Sequence, residues 1–203
     1  YADLVYEDYK NNRIDDSGSR AKLYSLLSGK KVLLIAPGAS ILTYEAKIKE
    51  FIKQENPVII SINFVPELYL VDFAFFSNNK RFSNLENISC KTIITSNLIG
   101  KMSDYKIDYN SLSGAFDQGC NSFIMILKLL KEMNTKTIYV TGADGYTENG
   151  KNYYTTNIRT YTEHGNKFNL AVANAVRNLD IRIAFLTPSA YDTEKERKQW
   201  SLN

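Results

Sequence analysis

The sequence predicts an α/β domain with a doubly wound, mostly parallel sheet of about six strands and helices on both faces, a Rossmann-like arrangement. Two observations carry that expectation. Short, unbroken apolar runs recur along the chain, as strands covered on both faces require. Between them lie longer stretches whose apolar residues return at helical spacing. The 203 residues are enough for one such core, because a domain of this size buries roughly 70% of the surface that its unfolded chain exposes.

Residues 1–28 differ from the rest. Tyr1 to Arg13 is charged and tyrosine-rich, and Ile14-Asp15-Asp16-Ser17 offers capping oxygens for a short helix, Ser19 to Leu27, stopped near Gly29. This stretch is expected to be a linker or helical extension. The start at Tyr1 instead of Met suggests a piece of a longer protein. Residues 29–203 are expected to form the single Rossmann-like domain.

The first strand is Val32-Leu33-Leu34-Ile35, ending in Ala36-Pro37-Gly38-Ala39-Ser40. A helix follows with Ile41, Tyr44, Ile48, Phe51 and Ile52 on one face, and Asn56-Pro57 ends it. The second strand, Val58 to Ile62, runs into Asn63. The third, Val71 to Phe76, runs into Ser77-Asn78-Asn79, and the fourth is Thr92 to Thr95. Gly119 to Met133 is the strongest helix, with Phe123, Ile126, Leu127 and Leu130 as its stripe and Ile124 and Leu129 broadening it. Thr137 to Thr141 is the fifth strand, running into Gly142. A helix from Asn166 to Asn178 and a last strand, Ile181 to Leu186, lead to Thr187-Pro188-Ser189. The charged tail after Asp192, with Trp200, is expected to be a solvated final helix.

Composition excludes several function classes. A formal net charge of +3 is too small for a nucleic-acid or membrane-surface protein. No apolar run is long enough for a bilayer span. Two cysteines, Cys90 and Cys120, exclude a disulfide scaffold and a cysteine-rich zinc site; reduced thiols in the cytoplasm are preferred over one bridge. No metal site is expected. An aromatic content of 12% is compatible with an interface, including one in a homo-oligomer.

In open α/β sheets, ligands bind beyond the carboxyl ends of the strands. Gly38, Ser40, Asn63, Ser77, Asn78, Gly142, Asp144, Thr187 and Ser189 end the strands and should converge there. The Pro37–Ser40 turn offers close approach at glycine and free amides at a helix start, or is an ordinary turn capped by Ser40. Ser113-Gly114 and Gln118-Gly119-Cys120-Asn121 precede the buried helix and either admit a ligand or cap it. Lys80-Arg81 either meets a phosphate or is a solvated helix face. His164, the only histidine, is either a general base or acid or a surface helix cap. Asp144 to Gly150 lacks the ligand spacing of a calcium loop. The tyrosine-rich stretch from Asp144 to Glu163 reads as a lid, a binding loop or a plain surface excursion.

Leu34-Ile35-Ala36-Pro37-Gly38-Ala39-Ser40 resembles the glycine-proline-serine loop of the bacterial CMP-sialic-acid-dependent sialyltransferases, a superfamily that includes motility accessory factors and archaeal pterin pyrophosphokinase-like proteins. Pro37 and Ala39 depart from that loop. The resemblance implies that Asn63 touches a nucleotide and that His164 is the base. Ser113-Gly114, Gly142-Ala143-Asp144 and Pro188-Ser189 match further stations. A second resemblance runs through Asp8-Tyr9-Lys10, Ile14-Asp15-Asp16, Leu33 to Gly38, Ser61 to Pro66 and Phe75-Phe76-Ser77-Asn78. It is to the C-terminal region of bacterial proteins whose N-terminal half is similar to 4-hydroxy-2-oxovalerate aldolase, a metal-dependent barrel of surface-carbohydrate synthesis.

Together these imply a nucleotide or nucleotide-sugar-binding domain of an aldolase-like protein, with glycosyltransferase-type chemistry. Gly38, Ala39 and Ser40 would hold phosphate through backbone amides. Asn63 would meet base or ribose, and Asn78 with Thr187 to Ser189 would complete the cradle. The alternative is a non-catalytic docking, oligomerisation or regulatory module for the upstream barrel. A metal-dependent pyrophosphokinase ranks last, because no strong carboxylate cluster stands out beyond Asp72 and Asp144.

Overall fold

The apolar runs do form strands. The computed structural model describes residues 13–83, 88–113, 121–147, 153–154 and 165–192. Its strands are β1 (Lys31–Ile35), β2 (Val58–Ile62), β3 (Phe73–Phe76), β4 (Lys91–Thr95), β5 (Tyr105–Ile107), β6 (Thr137–Thr141) and β7 (Ile183–Phe185). Among the described residues there are seven strands, not about six. The extra one, β5, has three residues that alternate buried, half-buried, buried, so it carries no continuous apolar run to betray it.

The strands make one sheet in the order β5-β4-β3-β2-β1-β6-β7, and each adjacent pair is parallel. The chain builds outward from β1 to β5 and then returns to place β6 on the other side of β1. The direction of winding therefore reverses between β1 and β6, the place at the carboxyl edge where open α/β sheets take their ligands.

The helices are α1 (Ser17–Leu27), α2 (Ser40–Thr43), α3 (Glu45–Glu55), α4 (Asn79–Ser83), α5 (Tyr109–Leu112), α6 (Ser122–Glu132) and α7 (Gly165–Asn178). The helix expected from Ile41 to Ile52 is broken at Tyr44, whose φ of −108° and ψ of 22° leave the helical region. On one face of the sheet, Leu34, Ile60, Phe75 and Val140 pack under α6 and α7. Seven residues of α6 are buried, as its broad apolar stripe requires. On the other face, Leu33, Ile35 and Ile59 pack under Ile41 and Ile48, with Phe64 and Tyr69 from the β2–β3 crossover filling in.

The helix expected as a connector is built into this core. Leu23 and Leu27 of α1 are 0% exposed and belong to the main cluster. The same segment seals the β5 edge. Ser19 Oγ accepts the Lys106 N–H at 3.2 Å, and Asp16 Oδ2 accepts the Asp108 N–H at 2.9 Å. An unpaired edge strand would otherwise invite association with other chains. Asp16 is itself held by Arg20 Nε at 2.8 Å.

At the amino edge, Asp72 Oδ2 accepts the Ile59 N–H and Asp104 Oδ2 accepts the Thr92 N–H, each at 2.8 Å. An aspartate just before one strand thus satisfies an early amide of its neighbour. Among the described residues no helix is long and apolar enough to cross a membrane. The tail from 193, including Trp200, lies outside the described residues.

Leu23→Ala should destabilise the protein by about 2–5 kcal/mol, the usual cost of emptying a closed apolar site. Urea denaturation measures it, and an unchanged midpoint would mean that α1 is an appendage.

Candidate functional site

At the winding reversal the β1 and β6 turns touch. The Gly38 N–H donates to the Gly142 carbonyl at 2.8 Å. A Cβ on Gly38 would stand 2.2 Å from that carbonyl oxygen and 2.5 Å from Asp144 Cγ. Gly142 has φ +70°, and a Cβ there would stand 2.0 Å from the Ala36 carbonyl oxygen. Both glycines are required by the approach of two backbones.

Asp144 completes the joint. Its Oδ2 accepts the Ser40 N–H at 2.8 Å, and its Oδ1 accepts the Ser40 hydroxyl. Thr187, at the end of the last strand, accepts the Gly142 N–H at 3.1 Å and lies 3.1 Å from Ser40 Oγ. The Ser189 hydroxyl donates to the Ala143 carbonyl, and the Ala190 N–H to the Asp144 carbonyl. The carboxyl ends of β1, β6 and β7 are thereby tied together. Burial pushes the Asp144 carboxyl above its ordinary pKa, and the two Ser40 bonds pull the other way.

This changes what the β1 turn can do. The amides of Gly38 and Ser40, expected to hold phosphate, are spent on Gly142 and Asp144. The anion position at the start of α2 is filled by the protein's own carboxylate. Two unit negative charges about 5 Å apart at an effective dielectric of about 20 repel by about 3 kcal/mol.

A second polar cluster spans β2, β3 and the start of α6. Asn63 sits in the left-handed region at φ +59°, which asparagine tolerates. Its Oδ1 accepts the Ser77 N–H at 3.1 Å, and its Nδ2 donates to Ser122 Oγ at 2.7 Å. The hydroxyls of Ser77 and Ser122 are 2.5 Å apart. Asn63 and Ser77 therefore brace α6 against the strand ends. Asn121 caps α6 by accepting the Phe123 N–H at 2.8 Å, and its Nδ2 donates to the Tyr146 hydroxyl at 3.3 Å.

Asn78 is exposed, and its Oδ1 accepts the Arg81 N–H at 3.2 Å, so it caps α4. Ser113 ends α5, with its Oγ buried and without a partner among the described residues. Gly114, Cys120 and His164 lie outside the described residues. Cys90 is a half-buried free thiol.

Part of the tyrosine-rich stretch reaches this edge. Tyr153 forms an antiparallel bridge with Gly38, and the Tyr154 N–H donates to the Pro37 carbonyl at 2.9 Å. At the base of the loop, Asn169 on α7 pairs with the Tyr146 backbone, accepting its N–H at 2.8 Å and donating to its carbonyl at 2.9 Å. Burial pushes the Tyr146 phenol up to about 12, with the Tyr153 phenol adding to it. Tyr191 is raised further by burial and by Tyr146, Tyr153 and Asp144, and its ring stacks on Phe123 at 5.6 Å. These neighbours place the three tyrosines and Asp144 in one electrostatic environment.

Asn121 was expected only as part of the segment that admits a ligand or caps the buried helix, and Ser122, Asn169 and Tyr191 were not among the residues expected at the site. Asn121 stands in the segment before the buried helix and Tyr191 two residues past Ser189, so both have a positional signal. Asn169 lies inside a helical stripe and has none.

Asp72 lies at the opposite edge of the sheet from Asp144, its carboxylate on Ile59. The two cannot share a cation. Among the described residues no three His, Cys, Asp or Glu side chains gather as a metal site. No protein-family model matches this chain, and no curated protein matches it.

Gly142→Ala should cost more than about 2 kcal/mol, because it adds a left-handed backbone penalty to a clash with a main-chain oxygen. A thermal melt indistinguishable from wild type would contradict the joint. Asp144 also gives the joint a pH signature. Its folded pKa lies above its unfolded value, so the native state holds more protons between the two, and stability falls as pH rises through that window. Asp144→Asn has no such slope. Melting temperatures across the acidic range should move in the variant's favour as pH rises, then stay level; movement in favour of wild type would mean a lowered pKa.

Proposed function

We propose that this domain binds a nucleotide or nucleotide-sugar over the β1/β6 reversal. The observation that carries the reading is the topology. The winding reverses between β1 and β6, and Asp144, Asn121, Tyr146 and Thr187 stand at that edge, where open α/β sheets take their ligands. The likeness to the sialyltransferase-like superfamily supports the same ligand class, and the likeness to aldolase C-terminal regions supports a parent protein of carbohydrate metabolism.

In this reading His164 is the base. It takes the proton of an acceptor hydroxyl as that oxygen attacks the anomeric carbon, and the nucleotide leaves with the electrons of the broken glycosyl bond. Such proton transfer is worth about 10²–10⁴ in rate.

A second reading, a non-catalytic module that docks or regulates an upstream barrel, draws on a different observation. Asn63, Ser77 and Ser122 satisfy one another, as do Ser40, Asp144 and Thr187. Such self-satisfied strand ends suit a scaffold as well as a site.

Thermal-shift titration with CMP, CDP, UDP and GDP separates the two. A ligand at about 100 times its Kd adds about 2.7 kcal/mol, so a true ligand raises the Tm visibly, and silence from all four favours docking. If a ligand and an acceptor are found, His164→Ala should abolish turnover and leave binding within a few-fold. Turnover unchanged in that variant removes the base assignment.

A further inference from the structure

In dinucleotide-binding folds the first strand-to-helix turn offers free amides to a phosphate. Here that place is occupied from within. The Ser40 N–H and hydroxyl both donate to Asp144, and the Gly38 N–H is turned to the Gly142 carbonyl. The backbone that carries the carboxylate is also fixed, since the Ala190 N–H donates to the Asp144 carbonyl at 3.2 Å and Thr187 accepts the Gly142 N–H.

A carboxylate offers about four acceptor positions. Ser40 uses one on each oxygen. Asp144 is only partly buried, so the remaining positions are not sealed in the core. What is left is a rigid pair of acceptors carrying negative charge at the edge where the ligand is placed. That pair repels a phosphate and suits two hydroxyl donors on adjacent carbons. A nucleotide carries such a pair on its ribose.

We propose that Asp144 is a specificity residue that takes the ribose diol of the ligand and keeps its phosphates away from the β1 turn. This rests on the nucleotide-binding reading above and replaces the expectation from the sequence that the Gly38–Ser40 amides hold phosphate.

Isothermal titration of wild type and Asp144→Asn with CMP, UMP, AMP and GMP, with their 2′,3′-dideoxy counterparts, and with inorganic pyrophosphate tests it. At least one ribonucleotide should bind wild type about ten- to a hundredfold more tightly than its dideoxy counterpart, the scale of hydrogen bonds to a charged group. That preference should collapse toward unity in Asp144→Asn, and pyrophosphate should not compete. The dideoxy comparison on wild type stands even if the variant fails to fold.

Equal affinity for the two sugars, or displacement of the nucleotide by pyrophosphate, overturns the assignment while leaving nucleotide binding intact. So does a loss of affinity in Asp144→Asn that is the same for both sugars, which would place a base amine on the carboxylate. No response to any nucleotide overturns the nucleotide-binding reading and this assignment with it.

Discussion

The seat of the Asp144 carboxylate on Ser40 is the contact around which the carboxyl edge is arranged. β1 and β6 are neighbours in the sheet but far apart in the chain, and their winding directions diverge. The turns leaving them must pass close together before separating onto opposite faces. Glycine at 38 and 142 lets the backbones meet, and the carboxylate satisfies an amide and a hydroxyl that the short α2 leaves over. With β7 drawn in through Thr187, three strand ends become one rigid rim. Burial works against this charge, as the raised Asp144 pKa records. The Ser40 hydrogen bonds to the ionised group offset only part of that desolvation.

The same economy recurs across the sheet. At the amino edge, Asp72 and Asp104 each take an amide of the neighbouring strand. At the β5 edge, Ser19 and Asp16 take amides that no further strand can reach. At the β2 and β3 ends, Asn63 links the Ser77 backbone to Ser122. Short polar side chains are used wherever a parallel ladder stops and buried backbone groups would be orphaned. A polar residue at a strand end is therefore weak evidence for a ligand until its own partners are known. Asn63, Ser77 and Asn78 have structural partners; Asp144 has partners and acceptor capacity left over.

The class of fold was legible because its signals are local and redundant. Val32 to Ile35, Val58 to Ile60 and Thr137 to Thr141 are continuous apolar or β-branched runs, and a strand covered on both faces shows little else. The seven buried residues of α6 announce themselves in the same way. β5 escaped because a three-residue edge strand alternates instead of running on. The break at Tyr44 escaped because the apolar spacing continues across it. The burial of α1 escaped for a related reason: Leu23 and Leu27 are too few to signal a buried face, yet both are fully enclosed.

The sequence by itself determined the alternation of strands and helices, the parallel sheet that follows from it, and the set of polar residues at the strand ends. These depend on periodicity and on turn chemistry over a few neighbouring residues. The tertiary structure alone decided the strand order, the reversal between β1 and β6, and which polar groups are spent on each other. Ser40 and Asp144 stand 104 positions apart in the chain, and no local pattern can say that a carboxylate will arrive at an amide from that distance. Such pairings are fixed only when the whole sheet closes and brings its far ends together.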